Sequence, residues 1–201
     1  MKNKNLLLMT IALLIIANYT VAQVTGTFTD LRDGKIYKTI VIGTQTWMAE
    51  NLAYSANSGC WAYDNSQSNV SIYGYLYKWE TAQDVCPEGW HLPSDAEWTI
   101  LIDYLGGKNI AGGKMKEIGT KNWITPNTGG NNSCGFNGLP GGLRDITGIF
   151  GGKGDSGVWW SLTENSDSDA YLIGFVYNST SALSRIINKE AGFSVRCVKN
   201  N

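Results

Sequence analysis

The sequence predicts a single α+β domain built mainly from antiparallel strands. Short segments with alternating apolar and polar residues occur in the C-terminal part of the 201-residue chain, as in half-buried antiparallel strands. Two segments in the middle have the periodicity of helices. Cys86 ends the first of these helices and Cys197 lies in the last predicted strand, which suggests a domain that brings its ends together.

The first predicted elements form a β-hairpin. Asp33-Gly34 is a strong turn signal between two apolar segments, Thr27–Asp30 and Lys35–Ile42. A third strand is predicted at Thr46–Leu52.

An irregular segment and a helix follow. Residues 53–73 are polar, and we expect Cys60 and Trp61 to anchor this loop. Residues 77–86 are predicted to be helical because Trp79, Ala82 and Cys86 share one helical face and a proline follows.

The second helix has the clearest local signal in the chain. Ser94 and Glu97 form a capping box, in which each side chain accepts a hydrogen bond from a free backbone donor of the other. Gly106-Gly107 ends the helix. Apolar residues recur at helical spacing at Trp98, Leu101, Ile102 and Leu105.

The second half of the chain begins with a glycine-rich stretch, residues 106–157, that predicts a long irregular loop region. Such long loops are often functional. Short strands then return at Val158–Leu162, Ala170–Tyr177, Ser184–Ile187 and Phe193–Val198. No repeat or linker divides the chain, so residues 23–201 are expected to form one domain.

Residues 1–22 have the pattern of a secretory signal peptide. Lys2 and Lys4 precede an apolar run, Leu6–Ala17, and small residues end the segment. The run is shorter than the ~20 residues of a membrane span. We therefore expect a secreted, periplasmic or cell-surface protein whose mature chain has no membrane span.

Composition excludes some classes of partner. The mature chain has 201 − 22 = 179 residues, and without two signal-peptide lysines its charge is 14 − 17 = −3. No basic cluster interrupts this mildly acidic chain. Nucleic acids and anionic membrane surfaces are therefore not expected as partners.

Four cysteines remain in the mature chain, at positions 60, 86, 134 and 197. None belongs to a Cys-x-x-Cys pair, and the single histidine cannot complete a two-histidine zinc pattern. In an exported protein this favours two disulfides over a metal site. Spacing alone leaves all three possible pairings open.

The residue pattern does not favour catalysis. His91 lies beside the predicted helix cap, where a hydrogen-bonded structural role is the simpler interpretation. Of the neighbouring carboxylates Asp95 and Glu97, the second already has a capping role. Nucleophile-elbow and phosphate-loop spacings are absent from the sequence. We therefore expect neither an enzyme nor a cofactor.

Binding is better supported, because the last 45 residues combine aromatic rings with small polar groups. Such mixtures give rigid contact area together with adaptable hydrogen bonding. One of Trp159 and Trp160 is expected to be exposed, because neighbouring strand residues point to opposite faces. The sequence does not decide which. The predicted ligand-binding residues are Trp159, Tyr171, Tyr177, Arg185 and Asn188, with Asn165 and Asn178 at the rim.

Residues 165–169 offer clustered oxygen groups that could hold calcium. A solvated turn between strands is the simpler interpretation of this segment.

Motifs distributed along nearly the whole mature chain match one family pattern. They are Asp33-Gly34, Trp47–Leu52, Cys86-Pro87, Gly89–Pro93, Glu97-Trp98, Phe136, Leu139–Gly142, Trp159–Glu164 and Ser194–Val198. With these motifs the chain resembles the Fibrobacter succinogenes major paralogous domain family of exported bacterial proteins. Leu162 departs from the pattern, since members usually carry serine there.

That resemblance implies a C-type lectin-like fold, with two helices flanking antiparallel strands and a long irregular loop region. It also implies a Cys86–Cys197 disulfide between the first helix and the last strand, which leaves Cys60 to pair with Cys134. The calcium motifs of lectins are missing. The reactive cysteine pair of the formylglycine-generating enzymes, which share the fold, has no counterpart either. Fold alone does not confer function.

These residues favour one function over three alternatives. The favoured one is a non-catalytic binding module that presents its C-terminal loops to an unknown protein or glycan ligand. In a variant of it, residues 164–191 are the variable segment of a diversity-generating retroelement protein. The alternatives are a structural component of the envelope or a surface fibre, a degenerate enzyme relative, and calcium-dependent sugar binding through a non-standard site.

Overall fold

A computed structural model describes residues 23–200 as an α+β structure in which strands predominate. The predicted signal peptide lies outside these residues. None of the helices in the described part has the length and apolar character to cross a membrane. The strands are β1 (Thr25–Thr29), β2 (Ile36–Ile42), β3 (Gln45–Met48), β4 (Cys60–Trp61), β5 (Leu76–Tyr77), β6 (Trp90–His91), β7 (Gly141–Arg144), β8 (Phe150–Lys153), β9 (Ser156–Glu164), β10 (Asp169–Val176), β11 (Leu183–Asn188), β12 (Phe193–Ser194) and β13 (Val198–Lys199). The helices are α1 (Gln67–Tyr73), α2 (Trp79–Asp84), α3 (Asp95–Tyr104) and α4 (Lys108–Met115).

The smaller sheet has the strand order β1-β2-β3-β13-β6 and contains both the first and the last strand of the domain. The predicted hairpin is confirmed, since β1 and β2 pair antiparallel around the turn at Gly34, whose φ of 77° suits glycine. In β2 the side chains of Tyr37 and Thr39 are buried and those of Ile36 and Lys38 are exposed, because successive strand residues point to opposite faces of the sheet.

The larger sheet has the order β11-β10-β9-β12-β5-β4, and β7 and β8 join it beside β9. Strand β9 lies between two hydrophobic clusters, one containing Trp160 and the other containing Trp159. Both rings are fully buried. The expectation that one of them is exposed is therefore wrong, because packed layers cover both faces of this central strand.

Both predicted helices are present, as α2 and α3, and the described residues contain two further α-helices, α1 and α4. The capped helix α3 is present with its Ser94–Glu97 capping box. Helix α4 lies in the glycine-rich stretch that was predicted to be a loop. Glycine has low helix propensity, but a Cβ at Gly112 would lie 2.3 Å from the backbone oxygen of Ser181. Tertiary packing therefore requires glycine at position 112, although glycine is unfavourable inside a helix.

The predicted last strand, Phe193–Val198, is divided between the two sheets. Ser194 pairs with Trp159 in the larger sheet, and Val198 pairs with Trp47 in the smaller one. The residues between them connect the sheets.

The Cys86–Cys197 disulfide is present, with Cys86 just after α2 and Cys197 just before β13. The predicted Cys60–Cys134 disulfide is wrong, because both thiols are free. Cys60 packs against the hydrophobic cluster that contains Trp160, and Cys134 belongs to the cluster that contains Trp159. The two cysteines thus occupy different parts of the core.

Candidate functional site

The β10–β11 hairpin carries most of the residues predicted to bind a ligand. Strand β11 pairs only with β10 among the described strands, so its other edge is unpaired. Residues 184–187 of β11 are all exposed, including Ile186 at 49% and Ile187 at 37%. The hairpin therefore presents an apolar edge with free backbone hydrogen-bonding groups.

Trp159 does not belong to this surface. Its prediction as a ligand-binding residue is therefore wrong. Its side chain has 0% exposure, and its indole nitrogen donates a hydrogen bond of 2.8 Å to Asn51 Oδ1. That Asn51 oxygen also accepts from buried Arg196. Trp159 is thus part of the core.

The other six predicted residues do not form one compact site. Asn165 and Asn188 lie near one end of the hairpin, where Asn188 pairs with Asp169. Tyr177 and Asn178 lie in the turn at the other end, one strand length of roughly 20 Å away.

The two remaining residues lie on opposite faces of the sheet. Tyr171 is directly opposite Ile186 in the pairing, whereas Arg185 is opposite Leu172. Because successive strand residues alternate between faces, Tyr171 and Ile186 share one face and Arg185 and Leu172 share the other.

His91 lies between two hydrogen-bonding partners, as a structural role requires. Its Nε2 is 2.7 Å from Glu97 Oε1, and its Nδ1 is 2.6 Å from Asn200 Oδ1. Burial acts to raise the pKa of Glu97, but hydrogen bonds from Ser94 and His91 outweigh it and lower that pKa. The histidine thus joins the α3 cap to the end of the chain.

Residues 165–169 form a turn closed by its own hydrogen bonds. The hydroxyls of Ser166 and Ser168 both donate to Asp169 Oδ2. Within residues 23–200 there is no group of three or more histidine, cysteine or acidic side chains that could hold a metal ion.

A second candidate site is a surface pocket of about 570 Å³ beside the end of β11. We call it the Trp61 pocket. Trp61 is the only one of the eight tryptophans that is not buried. The side chains that line the pocket include those of Trp61, Lys78, Glu80, Thr81, Arg144 and Glu190.

Close backbone contacts assemble the Trp61 pocket from distant parts of the chain. Gly59 accepts a backbone hydrogen bond from Lys78, and a Cβ at Gly59 would lie 2.2 Å from Thr81 Oγ1. Arg144 and Gly192 exchange both backbone hydrogen bonds, at 2.9 and 2.8 Å. Glycine suits both approaches, because Gly59 has a φ of 66° and a Cβ at Gly192 would lie 3.1 Å from the Trp61 ring.

Charged groups of both signs face the Trp61 pocket. Lys78 Nζ lies 2.6 Å from Glu190 Oε1 and 3.5 Å from Glu80 Oε2, and the hydrogen bond with Glu190 raises the pKa of Lys78. The Arg144 guanidinium stacks 4.2 Å above the Trp61 ring. Asn188, a predicted ligand-binding residue, accepts a hydrogen bond from the backbone of Glu190 and thereby positions it.

For Trp61 the sequence predicts only an anchoring role in a loop. One signal was available, because this tryptophan stands in a polar segment without apolar periodicity. Its partners could not be inferred, since Lys78, Arg144 and Glu190 are distant in sequence.

Comparison with known proteins gives one match. No curated protein and no solved structure matches the chain. A family model described as the Fibrobacter succinogenes major domain matches residues 40–199, which include both candidate sites. This protein is therefore a member of the Fibrobacter succinogenes major domain family.

Proposed function

We propose that this protein is an exported, non-catalytic binding module that presents its β10–β11 hairpin to a protein ligand. The observation that carries the proposal is the unpaired edge of β11, with its exposed run of residues 184–187. An extended peptide can add to such an edge through backbone hydrogen bonds, while side chains supply specificity.

The same exposure supports the variable-protein version of the proposal. In β11 the side chains of residues 184–187 are exposed, whereas Leu172 and Ile173 of the neighbouring strand are buried. Replacing β11 side chains would therefore leave the core intact. Comparing codons 164–191 with an imperfect repeat elsewhere in the same genome tests this, because a variable segment should differ from its repeat mainly at exposed positions.

We further propose that the fold is C-type lectin-like. Its support is the placement of the first and last strands in one sheet and the disulfide that joins the end of α2 to β13. A crystal structure compared with lectin domains would test it, and a different strand connectivity would reject it.

The binding proposal is tested first with protein and glycan arrays, probed with and without a chelator. A protein hit is then titrated against Arg185→Ala, Ile186→Ala and Tyr171→Ala. Ile100→Ala on α3 is the matched control, because Ile100 is 51% exposed and Ile186 is 49% exposed. Hot-spot behaviour predicts at least about a tenfold weaker Kd for a hairpin variant and no change for the control. Unchanged affinity in every folded hairpin variant would reject this surface.

A structural component of the envelope or a surface fibre is the second candidate, and the same unpaired edge favours it. Two copies could pair their β11 edges and polymerise. Sedimentation of the purified mature chain over a range of concentrations distinguishes the two. Two results together would favour the structural function. The wild type would form polymers that Ile186→Lys prevents, and the protein and glycan arrays would show no bound ligand.

A further inference from the structure

The exposure of Trp61 is unusual for this protein. Six other tryptophans donate indole hydrogen bonds to protein acceptors. Within residues 23–200 the Trp61 indole nitrogen and the Arg144 guanidinium have no hydrogen-bond partner. A large aromatic ring and a planar cation thus stand at the surface with unused donors.

The charges of the Trp61 pocket balance. Lys78 and Arg144 supply two positive charges, and Glu80 and Glu190 supply two negative ones. A polyanion or a polycation would gain little from this pocket, since attraction to one pair is offset by repulsion from the other. Hydroxyl groups suit it better, because each can donate to a carboxylate and accept from a cation.

The shape of the pocket indicates a ligand with a flat apolar face. The Arg144 guanidinium lies 4.2 Å from the centroid of the Trp61 ring, so the two flat groups form a stacked pair with charged side chains at its edge. A pyranose ring has C–H groups on its faces and hydroxyls around its rim, which matches this arrangement. A volume of about 570 Å³ lies within the usual range of small-ligand sites.

The backbone that carries these side chains is held in place before any ligand arrives. Trp61 belongs to β4, the backbone of Arg144 bridges to that of Gly192, and the backbone nitrogen of Glu190 donates to Asn188. Preorganised groups lose little conformational entropy on binding.

We propose that the Trp61 pocket binds a neutral carbohydrate, which packs a ring face on the Trp61–Arg144 stack and hydrogen-bonds to Glu80, Glu190 and Lys78. The site is separate from the β11 edge and does not depend on the hairpin proposal. It uses no metal ion.

The test uses the mature chain and a panel of methyl glycosides and disaccharides of glucose, galactose, mannose and N-acetylglucosamine. Binding is measured by calorimetry and by tryptophan fluorescence with iodide as quencher. We expect saturable binding by at least one probe, protection of fluorescence from iodide, and no change on adding chelator. Methyl glucuronide should bind no more tightly than methyl glucoside.

Three variants alter the pocket, namely Trp61→Phe, Arg144→Met and Glu190→Gln. Their controls are Tyr104→Phe, Lys121→Met and Glu88→Gln, which change exposed residues outside both candidate sites. We expect each pocket variant to weaken binding at least about tenfold and each control to leave it unchanged. Glu190 is 60% exposed, so its variant retains the fold even if a Trp61 variant does not.

Several results would overturn the proposal. They are a panel without any saturable binder, equal affinity in Glu190→Gln and wild type, loss of binding with chelator, or much tighter binding of the glucuronide. If Arg185→Met on the hairpin lost binding and the pocket variants did not, the sugar site would lie on the hairpin.

Discussion

At the scale of single residues, the most unusual groups are two fully buried cations, Lys116 and Arg196. Neither makes an ion pair with a described residue. Arg196 donates to Asn51 Oδ1 and to the backbone oxygens of Met48 and Phe136. Neutral oxygens thus satisfy the donors, and the guanidinium joins segments far apart in the chain.

Lys116 connects the long loop region to the turn between β10 and β11. Its Nζ donates to the backbone oxygens of Thr128, Val176 and Ser179 at 2.9 to 3.0 Å. Burial lowers the pKa of Lys116 to about 8. The group is therefore mainly protonated at neutral pH, when it holds the loop and the turn together.

Replacing Lys116 by methionine should lower the free energy of unfolding by about 2 to 4 kcal/mol at pH 7, because three buried carbonyls lose their donor. The difference between wild type and variant should be constant below pH 7 and should increase between about pH 8 and 10.5. In that window the unfolded chain binds the proton and the folded chain has released it, so the wild type gains stability as pH rises. Urea unfolding over this pH range measures the difference.

Lys114→Met is the control, since Lys114 lies in the last turn of α4, two residues before Lys116, and donates to one carbonyl, that of Leu105. It should cost less than Lys116→Met. A difference for Lys116→Met that decreases above pH 8 would mean that the folded state raises the pKa of Lys116, which contradicts the prediction.

At the scale of elements, the α3 cap allows a direct test of whether a local sequence motif stabilises the fold. Ser94→Ala should lower the free energy of unfolding by about 1 kcal/mol, because the cap oxygen accepts from the Glu97 backbone nitrogen. Ser66→Ala is the matched control, since Ser66 stands at the N-cap of α1 without a side-chain cap hydrogen bond. Equal effects of the two substitutions, measured by chemical denaturation, would contradict the prediction.

The cap also has a pH dependence. The folded state lowers the pKa of Glu97, so the stability from this carboxylate is present at neutral pH and is lost as pH falls through the folded pKa. His91→Gln should reduce stability through the same network.

At the scale of the whole molecule, the Cys86–Cys197 disulfide closes a loop with a sequence separation of 111 residues. Replacing both cysteines by alanine should lower the free energy of unfolding by up to about 4 to 5 kcal/mol, because the unfolded chain regains the entropy of that loop. Chemical denaturation of the oxidised wild type and the double variant measures this loss.

Cys60→Ser is the control, and it should leave the disulfide intact. Under denaturing conditions without reductant, the wild type should titrate two thiols per chain. In the native state Cys134 should react slowly, since burial raises its pKa to about 11. A peptide map with Cys60 bonded to Cys134 would contradict the structure.

Sequence alone determined the features that depend on neighbours along the chain. The first hairpin and the capped helix α3 follow from turn propensity, capping and helical periodicity. The motif set identified the family, and with it the disulfide between Cys86 and Cys197. Each of these features depends either on residues close together in the chain or on a motif that matches the family. Both kinds of signal can be read from a single sequence.

Tertiary structure alone decided what lies on each face of each element. Alternation along β9 predicts one exposed tryptophan, but packing on both sides of the strand buries Trp159 and Trp160. The Trp61 pocket draws its side chains from segments between residues 58 and 190. Periodicity shows which side chains share a face, whereas burial of that face depends on contacts between residues far apart in the chain.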